Sequence, residues 1–286
     1  MSEYANPNAL VETDWLAEHL DDASIRVIEV DEDTTAYEAN HLPGAVSWNW
    51  TTDLHAAVGR DYIDQAGLSK LLSQAGVGDD TTVILYGGNN NWFAAYAYWI
   101  LKLLGFDNVR LLNGGRKKWE LEGRELVADV PSYEPTSVQV TGALRPEIRV
   151  FRDEVVATAG KDGVGLIDVR SPEEFRGEKL APDHLPQEQS QVPGHVPGAS
   201  NIPWVQAANE DGSFKSAEEL RKLYETRGIS PDQEVIAYCR IGERSSHTWF
   251  ALQHLLGYPN VKNYDGSWTE YGSLVGVPVE VGGQGF

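Results

Sequence analysis

Two long stretches of this chain repeat each other. VILYGGNNNWFAAYAYWILKLLGFDNVRLLNGG begins at Val83 and VIAYCRIGERSSHTWFALQHLLGYPNVKNYDGS begins at Val235, 152 positions later, and the two align without a gap. Val83, Ile84, Tyr86, Leu103, Leu104, Gly105, Asn108, Val109 and Gly114 match Val235, Ile236, Tyr238, Leu255, Leu256, Gly257, Asn260, Val261 and Gly266. Upstream, HLPGA at 41–45 echoes HVPGA at 195–199, and VIEVD at 27–31 echoes LIDVR at 166–170. A repeat longer than any supersecondary unit demands two copies of one fold, each closing its own core. Glu29 pairs with Asp168 at an offset of 139 and His41 with His195 at 154, so the second copy carries about 15 extra residues within 176–194.

Both copies alternate short β-branched runs with helical patterns. The first predicts helices over 10–20, 68–75 and 92–104, with Thr13 as an N-cap, and strands over 26–31, 82–86 and 109–112. The second predicts helices over 152–159, 217–227 and 246–256, and strands over 164–169, 234–238 and 261–264. Such alternation specifies an α/β fold, a mainly parallel sheet with helices on both faces, here made twice. The stretch 128–148 holds little periodicity and several prolines, and it reads as a linker between a first domain at 1–127 and a second at 149–286.

The 43 acidic and 23 basic residues leave a formal charge of −20, which disfavours nucleic acid and anionic membranes as partners. It is compatible with a salt-adapted host. No apolar run reaches the roughly 18 residues of a membrane span. The N-terminal MSEYANPNALVETDW shows no secretory pattern. One cysteine, Cys239, permits no internal disulfide and no thiolate metal cluster, so a cytoplasmic protein without metal or organic cofactor is expected. The oligomeric state is not legible.

Cys239 follows the strand EVIAY and precedes the loop Arg240-Ile241-Gly242-Glu243-Arg244, after which a helix is expected from about Ser245. Ligands in open α/β sheets bind beyond the carboxyl ends of strands. A strand-to-helix turn there can aim successive N–H groups inward as an anion nest, with Gly242 supplying an unusual dihedral. With two arginines and a helix N-terminus nearby, the thiol is expected to have a depressed pKa. Its counterpart in the first copy is Gly87, so only one copy has a nucleophile there. Cysteine phosphatases need an arginine six positions after the nucleophile. Here Arg244 comes five after and Ser245 six, a loop better sized for one sulfur atom than for phosphate.

These features resemble the tandem-domain rhodanese family: HLPGA and HVPGA, DVRSPEEF, CRIGERS, and the closing NGGRKKW and DGSWTEYG, in order along nearly the whole chain. The resemblance implies two rhodanese-like domains, the second catalytic, and a thiosulfate sulfurtransferase in which Cys239 carries sulfur as a persulfide to cyanide or a thiol. The partners implied are a small anionic sulfur donor and a thiophilic acceptor. Arg240 and Arg244 are uncharged positions in the mercaptopyruvate-using type, and two cations suit dianionic thiosulfate. Mercaptopyruvate as donor, and a persulfide-carrier module serving a protein partner, remain the alternatives. Arg244, Arg240 and Arg176 are the candidate substrate-binding residues. Ile241, Gly242, Glu243, Asp168 and Arg170 are candidate supports of the loop, with Glu243 expected to face solvent or pair with an arginine. His195, duplicated as His41, is expected to be structural.

Overall fold

The computed structural model describes residues 3–181 and 189–283, and its chain divides into two compact units. One comprises Asn8–Arg145 with Asn209–Phe214, here the first unit; the other comprises the remaining N-terminal residues, Pro146–Ala208 and Lys215 onward, here the second. Part of the insertion inferred for the second copy, 182–188, lies outside the described residues.

The first unit holds strands β1 (Leu10–Val11), β2 (Ile25–Asp31), β3 (Val46–Asn49), β4 (Thr82–Tyr86) and β5 (Val109–Leu112), in a parallel sheet of order β1-β5-β4-β2-β3. Its helices are α1 (Thr13–Glu18), α2 (Thr35–Ala39), α3 (Trp50–Asp53), α4 (Gln65–Gln74), α5 (Trp92–Leu103) and α6 (Gly115–Leu121). The second unit has β6 (Val164–Asp168), β7 (Ser200–Asn201), β8 (Glu234–Tyr238) and β9 (Val261–Tyr264), parallel and ordered β7-β6-β8-β9. Its helices are α7 (Arg152–Thr158), α8 (Pro172–Arg176), α9 (Ala217–Glu225), α10 (Glu243–Phe250) and α11 (Ser267–Tyr271). The position of β1 is taken there by a single parallel bridge, Arg149 to Asn263.

The central strands are apolar runs because both of their faces are covered. In β8, Val235 to Tyr238 are buried without alternation, the pattern of an interior parallel strand. Helix α5, apolar on nearly every face, is buried along almost its whole length. Alternation and chain order thus specify the architecture, and the twofold repetition extends to single hydrogen bonds. Tyr86 Oη accepts from Leu42 N at 3.1 Å, and Tyr238 Oη accepts from Val196 N at 3.1 Å. His41 stacks on Tyr37 and bonds its carbonyl at 2.9 Å, while His195 stacks on Phe175 and bonds its carbonyl at 2.7 Å. Both histidines are therefore buried loop anchors.

Two local expectations change. The helix over 10–20 begins only at Thr13, because Leu10 and Val11 pair with Leu111 and Leu112 as an edge strand; Thr13 lies inside the helix and Glu12 occupies the N-cap. The helix after the cysteine begins at Glu243 rather than near Ser245, and gives way to a π-helical turn over Ala251–Leu255. The stretch 128–145 forms neither helix nor strand but packs along the first unit. Val138 and Val140 are buried, Val140 N donates to Ser69 Oγ at 2.9 Å, and the Arg26 guanidinium lies 3.2 Å from the Tyr133 ring centre.

Candidate active site

Strand β8 delivers Cys239 to the carboxyl edge of the second sheet, beside Asp168 at the end of β6 and Tyr264 at the end of β9, both of which pair with Tyr238. The loop beyond the strand is held from two sides. Ser267 Oγ accepts the Cys239 N–H at 3.0 Å, and the N–H groups of Trp268 and Thr269 donate to the carbonyls of Cys239 and Arg240, each at 3.0 Å. Ser267 itself sits in the left-handed region, φ 50°. On the other side the Gly242 carbonyl accepts from Ser245 Oγ at 3.0 Å, Ser246 Oγ at 2.8 Å and Asn263 Nδ2 at 3.1 Å. With the loop carbonyls engaged outward, amides are left to face inward. Gly242 N donates to Cys239 Sγ at 3.1 Å, and the Ser245 amide also favours negative charge on the sulfur. This turn requires glycine. Gly242 has φ +102°, and a Cβ there would lie 2.7 Å from Asp265 Cα.

The electrostatics differ from the expectation. Cys239 is fully buried, and its pKa is raised rather than depressed. Burial is the main cause and the Glu243 carboxylate the second; Arg244 and the amides of Ser245 and Gly242 only partly offset them. Glu243 does not face solvent, and among the described residues it pairs with no arginine. It is 1% exposed, and its Oε2 accepts from the thiol at 3.4 Å.

Arg244 is also buried, and its guanidinium is committed to Glu174, Nη1 to Oε2 at 2.8 Å and Nη2 to Oε1 at 3.0 Å. Burial alone would push Glu174 up, but Arg244, Arg170 and the Ser171 amide hold it at about 2. Glu174 is the residue that sequence reasoning missed. It is the third residue of α8 in a Ser171 capping box, an S-x-x-E signature that announces a helix start but not an ion pair 70 positions away. Ser267 was missed as well.

Arg240 is 1% exposed at the start of the loop, beside Ile241, which is also buried. Asp168 and Arg170 form a fully buried ion pair at 2.6 Å, with Arg170 also donating to the Gly194 carbonyl at 2.7 Å and lying 4.9 Å from the Trp268 ring centre. They tie the end of β6 to the loop at Gly194. Arg176, at the end of α8, is turned to Glu178 at 2.7 and 2.9 Å rather than to the cysteine loop.

The corresponding place in the first unit is closed. A Cβ on Gly87 would lie 2.4 Å from the Val30 carbonyl oxygen. Asn91 Oδ1 accepts the Gly87 N–H at 2.9 Å, Asp31 Oδ2 accepts the Gly88 N–H at 2.9 Å, and Asn89, Asn90 and Asn91 are all left-handed. Burial, helped by the charge of Glu29, pushes Asp31 up to about 7. Among the described residues no three His, Cys, Asp or Glu side chains converge as a metal site requires, and no helix is long and apolar enough to cross a membrane.

The rhodanese-like domain family matches this chain twice, over residues 12–122 and 151–274. A Mycolicibacterium smegmatis protein named "Putative thiosulfate sulfurtransferase" is 60% identical over 280 residues, covering 97% of this chain and 99% of its own. The "Sulfur carrier protein TtuD" of Thermus thermophilus is 54% identical over 283 residues, covering 98% and 99%. Among solved structures, an anaerobic ergothioneine biosynthesis enzyme from Chlorobium limicola superposes with a TM-score of 0.83 at 26% identity, over 99% of this chain and 72% of that one. Two matches spanning most of the sequence, and relatives of equal length at this identity, establish that the chain belongs to the rhodanese-like domain family.

Proposed function

We propose that the protein is a thiosulfate sulfurtransferase whose second unit does the chemistry through Cys239. The observation that carries this reading is the Gly242 N–H at 3.1 Å from a sulfur at the end of a parallel strand, in a loop one residue shorter than the phosphatase spacing. The Cys239 sulfur attacks the outer sulfur of thiosulfate, the S–S bond of the donor breaks, and sulfite leaves with the electron pair. The persulfide so formed is held by the amides of Gly242 and Ser245. Cyanide or a thiol then attacks its outer sulfur, and the Cys239 sulfur departs with the pair, a double displacement with ping-pong kinetics. Amides prearranged around the sulfur stabilise the charge it carries without reorganising.

Arg244 is committed to Glu174, and Arg240, the other arginine of the loop, is proposed to contribute to the preference for a dianionic donor. The first unit lacks a nucleophile at Gly87 and serves a non-catalytic role. A steady-state assay with thiosulfate and cyanide tests the reading. Thiocyanate is expected from the wild type and none from Cys239→Ala, and activity retained in that variant contradicts it. A higher kcat/KM for mercaptopyruvate than for thiosulfate overturns the donor assignment.

The Thermus relative's name favours a second reading, in which the persulfide passes to a protein partner. It predicts that sulfur loads from thiosulfate but that cyanide removes it slowly.

A further inference from the structure

The cysteine loop holds an unusual neighbour for a nucleophile. Glu243 Oε2 is 3.4 Å from Cys239 Sγ, both residues are buried, and Glu243 Oε1 has no hydrogen-bond partner among the described residues. A carboxylate is tolerated there partly because it opens helix α10, whose N-terminal dipole end favours negative charge. Two anions at this separation in a buried site repel strongly, so a thiolate and a carboxylate do not coexist there without cost.

Most of the neighbouring charges are already matched. Arg244 faces the sulfur but is neutralised by Glu174 from α8. Behind Gly242, Asp265 is paired with Arg149 at 2.7 Å, and beside the site Asp168 is paired with Arg170. On α10 itself, burial pushes His247 down to about 3, so it is neutral.

We infer that Glu243 is a catalytic residue of the sulfur transfer: it takes the Cys239 proton as the sulfur attacks and keeps it while the persulfide exists. The inference rests on the sulfurtransferase reading. In the first half-reaction the S–H bond breaks toward Glu243 Oε2 as the sulfur–sulfur bond to the donor forms. Sulfite leaves with the electron pair of the cleaved bond. The outer sulfur of the persulfide carries the negative charge, and the neutral acid of Glu243 lies beside it as a hydrogen-bond donor. In the second half-reaction the acceptor bonds to the outer sulfur, the Cys239 sulfur leaves as thiolate, and Glu243 returns the proton. The buried pair therefore never holds two negative charges during turnover. The raised thiol pKa fits this arrangement, since the resting sulfur keeps its proton until a donor arrives.

The single cysteine makes the test direct, because thiolate absorbance near 240 nm, measured against a Cys239→Ala blank, and mass gained from sulfur both report Cys239. The full chain is mixed with thiosulfate over a range of pH, the loading rate is read by quenched intact mass, and thiolate is read separately by absorbance. Wild type should load at undiminished rate at pH values where absorbance shows the thiol still protonated. In Glu243→Gln the thiolate should appear at lower pH, because the like charge is gone. Loading should then follow the thiolate fraction, falling about 100-fold two pH units below the midpoint. Glu243→Asp should keep the wild-type separation of loading from thiolate. Wild-type loading that tracks its own thiolate overturns the inference without any variant, so the test survives misfolding of Glu243→Gln. A Glu243→Gln profile that matches wild type also overturns it. Absence of any sulfur adduct in the wild type sinks the sulfurtransferase reading instead.

Discussion

Arg244 and Glu174 meet in a bidentate ion pair, at 2.8 and 3.0 Å, with both side chains buried. Their helices lie far apart in sequence, so the pair ties α8 to the cysteine loop. It also changes what Arg244 does. Its charge is felt by Cys239 but is matched by a carboxylate, so Arg244 is one half of a neutral pair rather than a free guanidinium.

Removing the carboxylate strands Arg244. Glu174→Gln should lower stability by about 3–5 kcal/mol, the usual cost of leaving one partner of a buried pair uncompensated. Because Glu174 is held at about 2, its contribution is present above the ordinary carboxylate range and is lost as pH falls toward 2. Urea titrations at pH 7 and pH 3 should therefore show a larger acid loss for wild type than for the variant.

Asp31 predicts the opposite sign. Its neutral form is the one that fits the first unit, so its contribution is full below the ordinary carboxylate range and drains away as pH rises through about 7. Asp31→Asn keeps an acceptor for the Gly88 N–H. Between pH 5 and pH 8, denaturant unfolding of the variant should lose less stability than wild type, by about 2–4 kcal/mol.

Gly242→Ala tests the loop backbone. The new methyl group meets Asp265, and the φ of +102° is hostile to alanine, so the amide that faces the sulfur must move. A displacement on the order of 1 Å should reduce kcat about 100-fold. A variant with wild-type kcat would show that the amide at 3.1 Å is not needed.

The first unit should resist conversion into a second active site. In a Cys239→Ala background, Gly87→Cys places a Cβ against the Val30 carbonyl, at 2.4 Å before relaxation. Thermal melts should show a loss of about 1–3 kcal/mol from overpacking. Thiosulfate and cyanide should yield no thiocyanate.

Much of the fold was legible in the sequence because it is local. Strands β4, β5, β8 and β9 are found residue for residue from short β-branched runs that the internal repeat aligns. Strands β3 and β7 were not read, since four and two residues become strands only through their pairing with β2 and β6. The helix expected from about Ser245 starts at Glu243 instead, while the unusual dihedral expected at Gly242 is found, left-handed at the N-cap of α10. The position of Cys239 followed from the strand-to-helix pattern. Its pKa did not, because burial and the inward turn of Glu243 are tertiary facts that outweigh Arg244 and the loop amides. Arg176 carried a plausible motif position, but Glu178, two residues on, holds its guanidinium.

The central claim is that Cys239 accepts the sulfane sulfur covalently. Intact mass of the full chain after incubation with thiosulfate and removal of excess donor tests it most directly. One adduct of about 32 Da is expected, located on the peptide containing Cys239, discharged by cyanide, and missing in Cys239→Ala. An unmodified wild-type mass, or an adduct that persists in Cys239→Ala, would contradict the account.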